Sequence, residues 1–185
     1  MKQLFSILSA LVLGGVAEAQ HYIPVDETSS IVFAIKSFGI NTSGSFKGLK
    51  GTIAFEPENI FSSSFNVNVD AKTISTSITA RDNHLKNEEY FDVMKFPLIS
   101  FVSSKLISKG DKKNYIVEGK LMIKGIVKEI SFPFVVEEQP NGFLFTGSFS
   151  LNRKDFTVGK SSLMLSDKLN VSLKVFAKNI NQPKS

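Results

Sequence analysis

Apolar and polar residues alternate along most of this chain with a period of two. Ile31, Phe33 and Ile35 share one face of a segment whose other face carries Val32, Ala34 and Lys36. Phe65, Val67, Val69 and Ala71 alternate with Ser64, Asn66, Asn68 and Asp70. Tyr115, Val117, Leu121 and Ile123 are set against Glu118, Lys120 and Lys124, and Ile130, Phe132, Phe134 and Val136 follow. Phe143, Phe145, Phe149 and Leu151 alternate with Thr146, Ser148 and Ser150, and Leu169, Val171, Leu173, Val175 and Ala177 with Asn170, Ser172, Lys174 and Lys178. Shorter runs contain Gly51, Ile53 and Phe55, then Ile99 and Phe101. Successive side chains of a strand point to opposite faces, so the pattern predicts half-buried strands. Turn signals separate the runs at Glu56-Pro57-Glu58-Asn59, Lys109-Gly110-Asp111, Gln139-Pro140-Asn141-Gly142 and Ser166-Asp167. Roughly eight strands with short connections predict an all-β, antiparallel sandwich or up-and-down barrel.

One segment departs from this period. Thr79 to Val93 lacks alternation and holds helix formers. Ser75 to Ser77 offer capping hydroxyls ahead of it, Asp82 and Lys86 stand four apart, and Pro97 ends it. One or two helical turns are predicted, covering a barrel end or a sheet edge. Gly39, Gly44, Gly48 and Gly51 lie between strands rather than before a helix, so they suit barrel corners or bulges and not a phosphate loop.

The first residues read differently. Met1-Lys2 is a short basic start, Leu4 to Val16 is mostly apolar, and Ala17-Glu18-Ala19 is an A-x-A pattern before Gln20. Residues 1–19 are therefore expected to be a cleavable signal peptide, too short to be a membrane span. A domain over 20–180 and a loose tail over 181–185 follow, with a periplasmic or secreted location and no stable membrane anchor. Such a domain buries a real core without disulfides, and the chain has no cysteine for a disulfide or a lipoprotein anchor.

Composition narrows the chemistry. The net charge of +5 comes from scattered lysines and only two arginines, Arg81 and Arg153, which argues against a nucleic-acid partner. Histidine occurs only at His21 and His84, so neither a serine triad nor a zinc site finds its residues. Asp82, Glu88, Glu89 and Asp92 lack EF-hand spacing, and no carboxylate pair is singled out for glycoside chemistry. No enzyme, metal or cofactor is predicted. With 17 phenylalanines and no tryptophan, the apolar face itself is the main feature. An eight-stranded barrel either fills its interior with side chains or holds one ligand there, and alternation does not decide between the two.

Four blocks of the chain resemble a known family. They are Ser30–Ile35 running to Gly44-Ser45-Phe46 and Gly51–Phe55; Arg81–Lys86 with Tyr90-Phe91-Asp92 and Phe96–Phe101; Gly119–Lys128; and Asn152–Phe156 with Gly159. In this order they resemble the YceI-like domain, a family of bacterial periplasmic or secreted lipid-binding proteins. The resemblance implies a lipocalin-like antiparallel barrel with a helix beside its opening. Long isoprenoids, quinone-like molecules or fatty amides would sit inside, and a homodimer is implied as a second kind of partner. Histidines common near the family's first strand are replaced here by Thr28-Ser29-Ser30 and Ser37-Phe38-Gly39, so their contacts do not carry over. Asp82 and His84 match, as do Arg153 and Asp155; each would either fix the rim or meet a headgroup.

The sequence thus predicts an extracytoplasmic carrier for a polyisoprenoid, isoprenoid quinone or similar long amphiphile. The expected ligand contacts are Phe33, Ile35, Phe46, Phe55, Phe65, Val67, Phe101, Leu121, Ile123, Phe132, Phe134 and Phe149. The competing expectation is a solid-core structural or interaction domain without a small-molecule ligand.

Overall fold

The computed structural model describes residues 20–180. The expected leader (1–19) and tail (181–185) lie outside the described residues. Among the described residues nine strands follow in order: β1 Gln20–Pro24, β2 Ser30–Ser37, β3 Ile40–Phe55, β4 Ser64–Ser75, β5 Leu98–Ser108, β6 Asn114–Ile123, β7 Ile126–Gln139, β8 Gly142–Asn152 and β9 Leu165–Asn179. Helix α1, Thr79–Leu85, interrupts them between β4 and β5.

All pairings are antiparallel, and a β3–β4 pairing closes the sheet on itself. The closed barrel has eight staves, because β1 and β2 share one. β1 pairs with the ends of β3 and β9, and β2 pairs with the same two strands further along. The break between them is a 3-10 turn, Asp26–Thr28, held in place from both sides. The Asp26 carboxylate accepts from the Leu49 N–H at 2.8 Å, and Ser29 Oγ accepts from the Phe176 N–H at 3.1 Å.

β3 is the longest strand, although only its last third alternates clearly in sequence. Its register shifts twice, between Ser45 and Lys47 and between Lys47 and Lys50. Each bulge bends the strand and re-aims its side chains. Gly51 has φ +133°, and a Cβ there would lie 2.1 Å from the Asn66 carbonyl oxygen, so only glycine fits.

Two local expectations are corrected. Ser166-Asp167 is not a turn but lies within β9; the excursion between β8 and β9 covers 153–164. The serines before α1 do not cap it either: the N-cap is Ile78 and makes no side-chain cap bond. Asp82 instead reaches back out of the helix to Thr76.

The barrel ends differ. The lower end carries the β3–β4, β5–β6 and β7–β8 connections, and its interior is filled by aromatic rings. Phe55 is fully buried, with ring centroids 5.5 Å from Tyr115, 5.2 Å from Phe143 and 5.3 Å from Phe145. Phe65 adds contacts to Phe134 and Phe145 at 5.6 and 5.5 Å. Most of these contacts are edge-to-face, the arrangement that the ring quadrupole favours. The upper end carries the β2–β3 and β6–β7 hairpins, the α1 arm and the 153–164 excursion.

Candidate functional site

Above the aromatic floor the barrel is hollow. A partly open cavity of about 290 Å³ runs from Phe134 and Phe145 at its base to Ser37, Thr42 and Leu165 on the upper rim. That volume is at the lower edge of pockets that take drug-sized ligands, roughly 300–1,000 Å³. On β9 the lining extends from Leu165 to Val175. With strands tilted as in small barrels, this run gives a tube on the order of 25 Å deep.

The reason for the hollow lies in small residues on the wall. Gly44 stands opposite Phe33 across β2 and β3, and a Cβ on it would lie 2.4 Å from the Phe33 ring. A Cβ on Gly119 would lie 2.6 Å from the Phe101 ring. Each ring folds back over a glycine and covers its bare backbone, as aromatic residues do beside strand glycines. The axis is thereby left free. At the floor no such glycine receives the ring of Phe55, which packs against three other rings instead.

Of the twelve expected contact residues, eleven border the cavity. Phe65 and Phe134 stand at its base. Val67, Phe101 and Leu121 face one another across β4, β5 and β6. Phe132 and Phe149 stack on the far wall with centroids 4.5 Å apart. Phe33, Ile35, Phe46 and Ile123 continue the lining upward. Phe55 is the exception: it belongs to the floor and does not border the cavity. Sequence reasoning missed Leu85, Phe91, Phe156 and Val158, which also border it. They stand on the α1 arm and the 153–164 excursion, where period-two alternation is absent. Phe91 reaches Phe46 with centroids 5.5 Å apart and closes part of the upper end.

The polar residues at the upper end are engaged with the protein. The Thr76 N–H and hydroxyl both donate to Asp82 Oδ1, and the same hydroxyl accepts from Arg81 Nε at 2.7 Å. Hydrogen bonds from Thr76 hold the Asp82 carboxyl below the ordinary carboxylate range. The bonds to ionised Asp82 thus contribute stability that is complete above that range and fades as pH falls through it. Thr76→Val is therefore expected to lower stability at neutral pH, with the difference from wild type narrowing toward pH 3. Denaturant titrations across pH 3–7 measure it, and a difference independent of pH would contradict the assignment.

Arg153 is buried, with 4% of its surface exposed. It donates from Nε to the Ser166 carbonyl at 3.0 Å, from one terminal nitrogen to Val158 at 2.8 Å, and from the other to Asp167 at 2.7 Å. It thus ties the excursion to β9. The Gly159 N–H donates to the Glu89 carbonyl at 2.9 Å, and a Cβ on Gly159 would strike Tyr90 and Arg153. His84 is exposed on α1 and meets Tyr90 edge-on at 4.8 Å. Asp155 is exposed in the 3-10 turn Arg153–Phe156.

A closed eight-stave barrel with a rim arm and an apolar tube matches known proteins. The family model of the YceI-like domain covers residues 23–177. The chain belongs to the YceI-like domain family. Curated relatives include Protein YceI of Salmonella arizonae and of Salmonella heidelberg, each 29% identical over 131 residues that span 69% of this chain and 67% of the relative. Among solved structures, BcnA of Burkholderia cenocepacia superposes with a TM-score of 0.79 at 23% identity, over 84% of this chain and 99% of that one. A polyisoprenoid binding domain from Saccharophagus degradans, implicated in plant cell wall breakdown, superposes with a TM-score of 0.68 at 12% identity, over 88% and 99%. At these identities the structures establish the fold. In this YceI-like chain the blocks at 81–86 and 152–159 are the ones that hold the rim together.

Proposed function

We propose that this protein is a lipid-binding barrel that carries a long apolar amphiphile outside the cytoplasm, with the tail in the tube and the headgroup at the upper rim. A polyisoprenoid or isoprenoid quinone is the ligand class. The observation that carries the reading is the blind tube itself, lined almost wholly by carbon. Each methylene transferred into it from water contributes ~0.8 kcal/mol, so a tail that fills the tube has ample driving force after ordering losses. Arg81 and Arg153 border the tube but are bonded within the protein. The apolar wall therefore selects by length and width, and prenyl and acyl chains of equal length are expected to bind within about tenfold of each other. Family membership and the polyisoprenoid-binding neighbour support the lipid class. The A-x-A pattern before Gln20 supports export. Binding rather than catalysis fits a site whose histidine, His84, is spent on a ring contact outside the tube.

The test is extraction of the purified protein into organic solvent followed by mass spectrometry, with titration of added prenyl alcohols alongside. A co-purified long-chain lipid, or saturable binding of the alcohols, is expected. An empty protein that takes up no prenyl alcohol would overturn the proposal.

A further inference from the structure

We infer that the upper rim is a membrane-docking face that seats on an anionic bilayer, with Phe38, Ile40, Leu163 and Met164 entering the headgroup region. Phe38 is 73% exposed, Ile40 69%, Met164 56%, and Leu163 is fully exposed. Isolated exposed apolar residues are ordinary, but these four form one patch. The Phe38 N–H donates to the Met164 carbonyl at 2.6 Å, Ser37 pairs with Leu165, and Ile40 closes the same hairpin.

The tip of that hairpin is costly to build. Phe38 and Gly39 have φ of +51° and +76°, the left-handed pair of a two-residue turn in which Asn-Gly is favoured. A phenylalanine there is strained, and its ring is left in water. Insertion of the ring into lipid would repay the second cost.

Position and charge indicate the occupant. Ser37, Thr42 and Leu165 border the tube, so the patch lies on its lip. Resting on the carrier reading above, a tail that leaves the tube here enters a bilayer without crossing water. The four upper connections (36–42, 76–97, 124–128 and 152–168) hold ten basic and six acidic residues, whereas the three lower ones (56–63, 109–114 and 137–142) hold three and five. Four of the upper acids stand on the α1 arm, where Asp82 is bonded to Thr76 and Glu89 pairs with Lys160 at 3.6 Å. Lys36 and Lys168 flank the apolar tips in sequence. Apolar tips beside basic residues are the two signals that hold a peripheral protein on an anionic surface.

The test is flotation of the purified protein with vesicles of phosphatidylglycerol and phosphatidylcholine, beside farnesol binding in solution. Wild type is expected to float with the anionic vesicles and to release in high salt. Phe38→Asn with Leu163→Ser should weaken flotation at least about tenfold, since two apolar side chains leave the lipid. The same variant should bind farnesol as wild type does and melt no lower, because Asn accepts the left-handed turn. Phe61→Ser removes an 89% exposed ring at the lower end and should float unchanged. Wild type that binds farnesol but does not float, a rim variant that floats like wild type, or an equal loss in Phe61→Ser would each overturn docking. If no form binds farnesol yet the flotation pattern holds, docking stands and the carrier reading falls.

Discussion

Val171→Trp is expected to abolish prenyl binding while the barrel stays folded. Val171 lies on β9 opposite Phe33 of β2 and Phe149 of β8, in the wall of the tube between rim and floor. It is only half-buried, because its inner side meets the cavity. An indole there fills the tube and leaves the ladder on both sides intact. Excluding even four methylenes of a tail forfeits ~3 kcal/mol, which is more than a hundredfold in affinity. Filling empty apolar space stabilises, whereas crowding a full core destabilises by about 1–3 kcal/mol. The change is therefore expected to leave stability within about 1 kcal/mol of wild type. Titration with a prenyl alcohol beside a thermal melt separates the outcomes. A folded variant that still binds would place the tail elsewhere; an unfolded one would mean that the space is already full.

How much of this was legible before the fold was known depends on the element. β2, β4, β6, β7, β8 and β9 were readable because each has one wet and one dry face, and that is what period-two alternation records. β3 was not, since its two bulges break the period in the same stretch where Gly48 and Gly51 remove side chains. Ser166-Asp167 looked like a turn because both residues are polar. Arg153 uses the Ser166 carbonyl and the Asp167 carboxylate as acceptors inside a strand, and no local pattern announces a partner thirteen residues away. The division between floor and tube was hidden for a deeper reason. Phe33 and Phe55 look alike in sequence, each inward in an alternating run. What separates them is what each ring meets: Gly44, its neighbour across the sheet, takes the ring of Phe33, whereas three rings from β6 and β8 meet Phe55 through the barrel interior. Register makes the first pairing and closure of the barrel makes the second, and neither is written in the local pattern. Inward glycines beside phenylalanines of the neighbouring strand, Gly44 by Phe33 and Gly119 by Phe101, were the available signal of a hollow, once the pairing is known.

The floor makes the complementary prediction. Phe55→Ala is expected to cost about 3–5 kcal/mol, the range for removing a large buried ring that its neighbours cannot replace. At a few degrees per kcal/mol for a domain of this size, the melting temperature should fall by roughly 10 °C. Phe33→Ala should cost less, because one side of that ring already faces empty space. Tyr115 supplies the control at the same depth. Its hydroxyl is buried without a hydrogen-bond partner among the described residues, and burial pushes its phenol pKa upward. Tyr115→Phe removes an unsatisfied polar atom and keeps the ring contacts, so it should be neutral or stabilising by about 1 kcal/mol. Denaturant unfolding of the three variants gives the order directly. If Phe55→Ala and Phe33→Ala cost the same, the floor is no more tightly packed than the wall, and a blind tube closed by aromatic rings is the wrong description of this barrel.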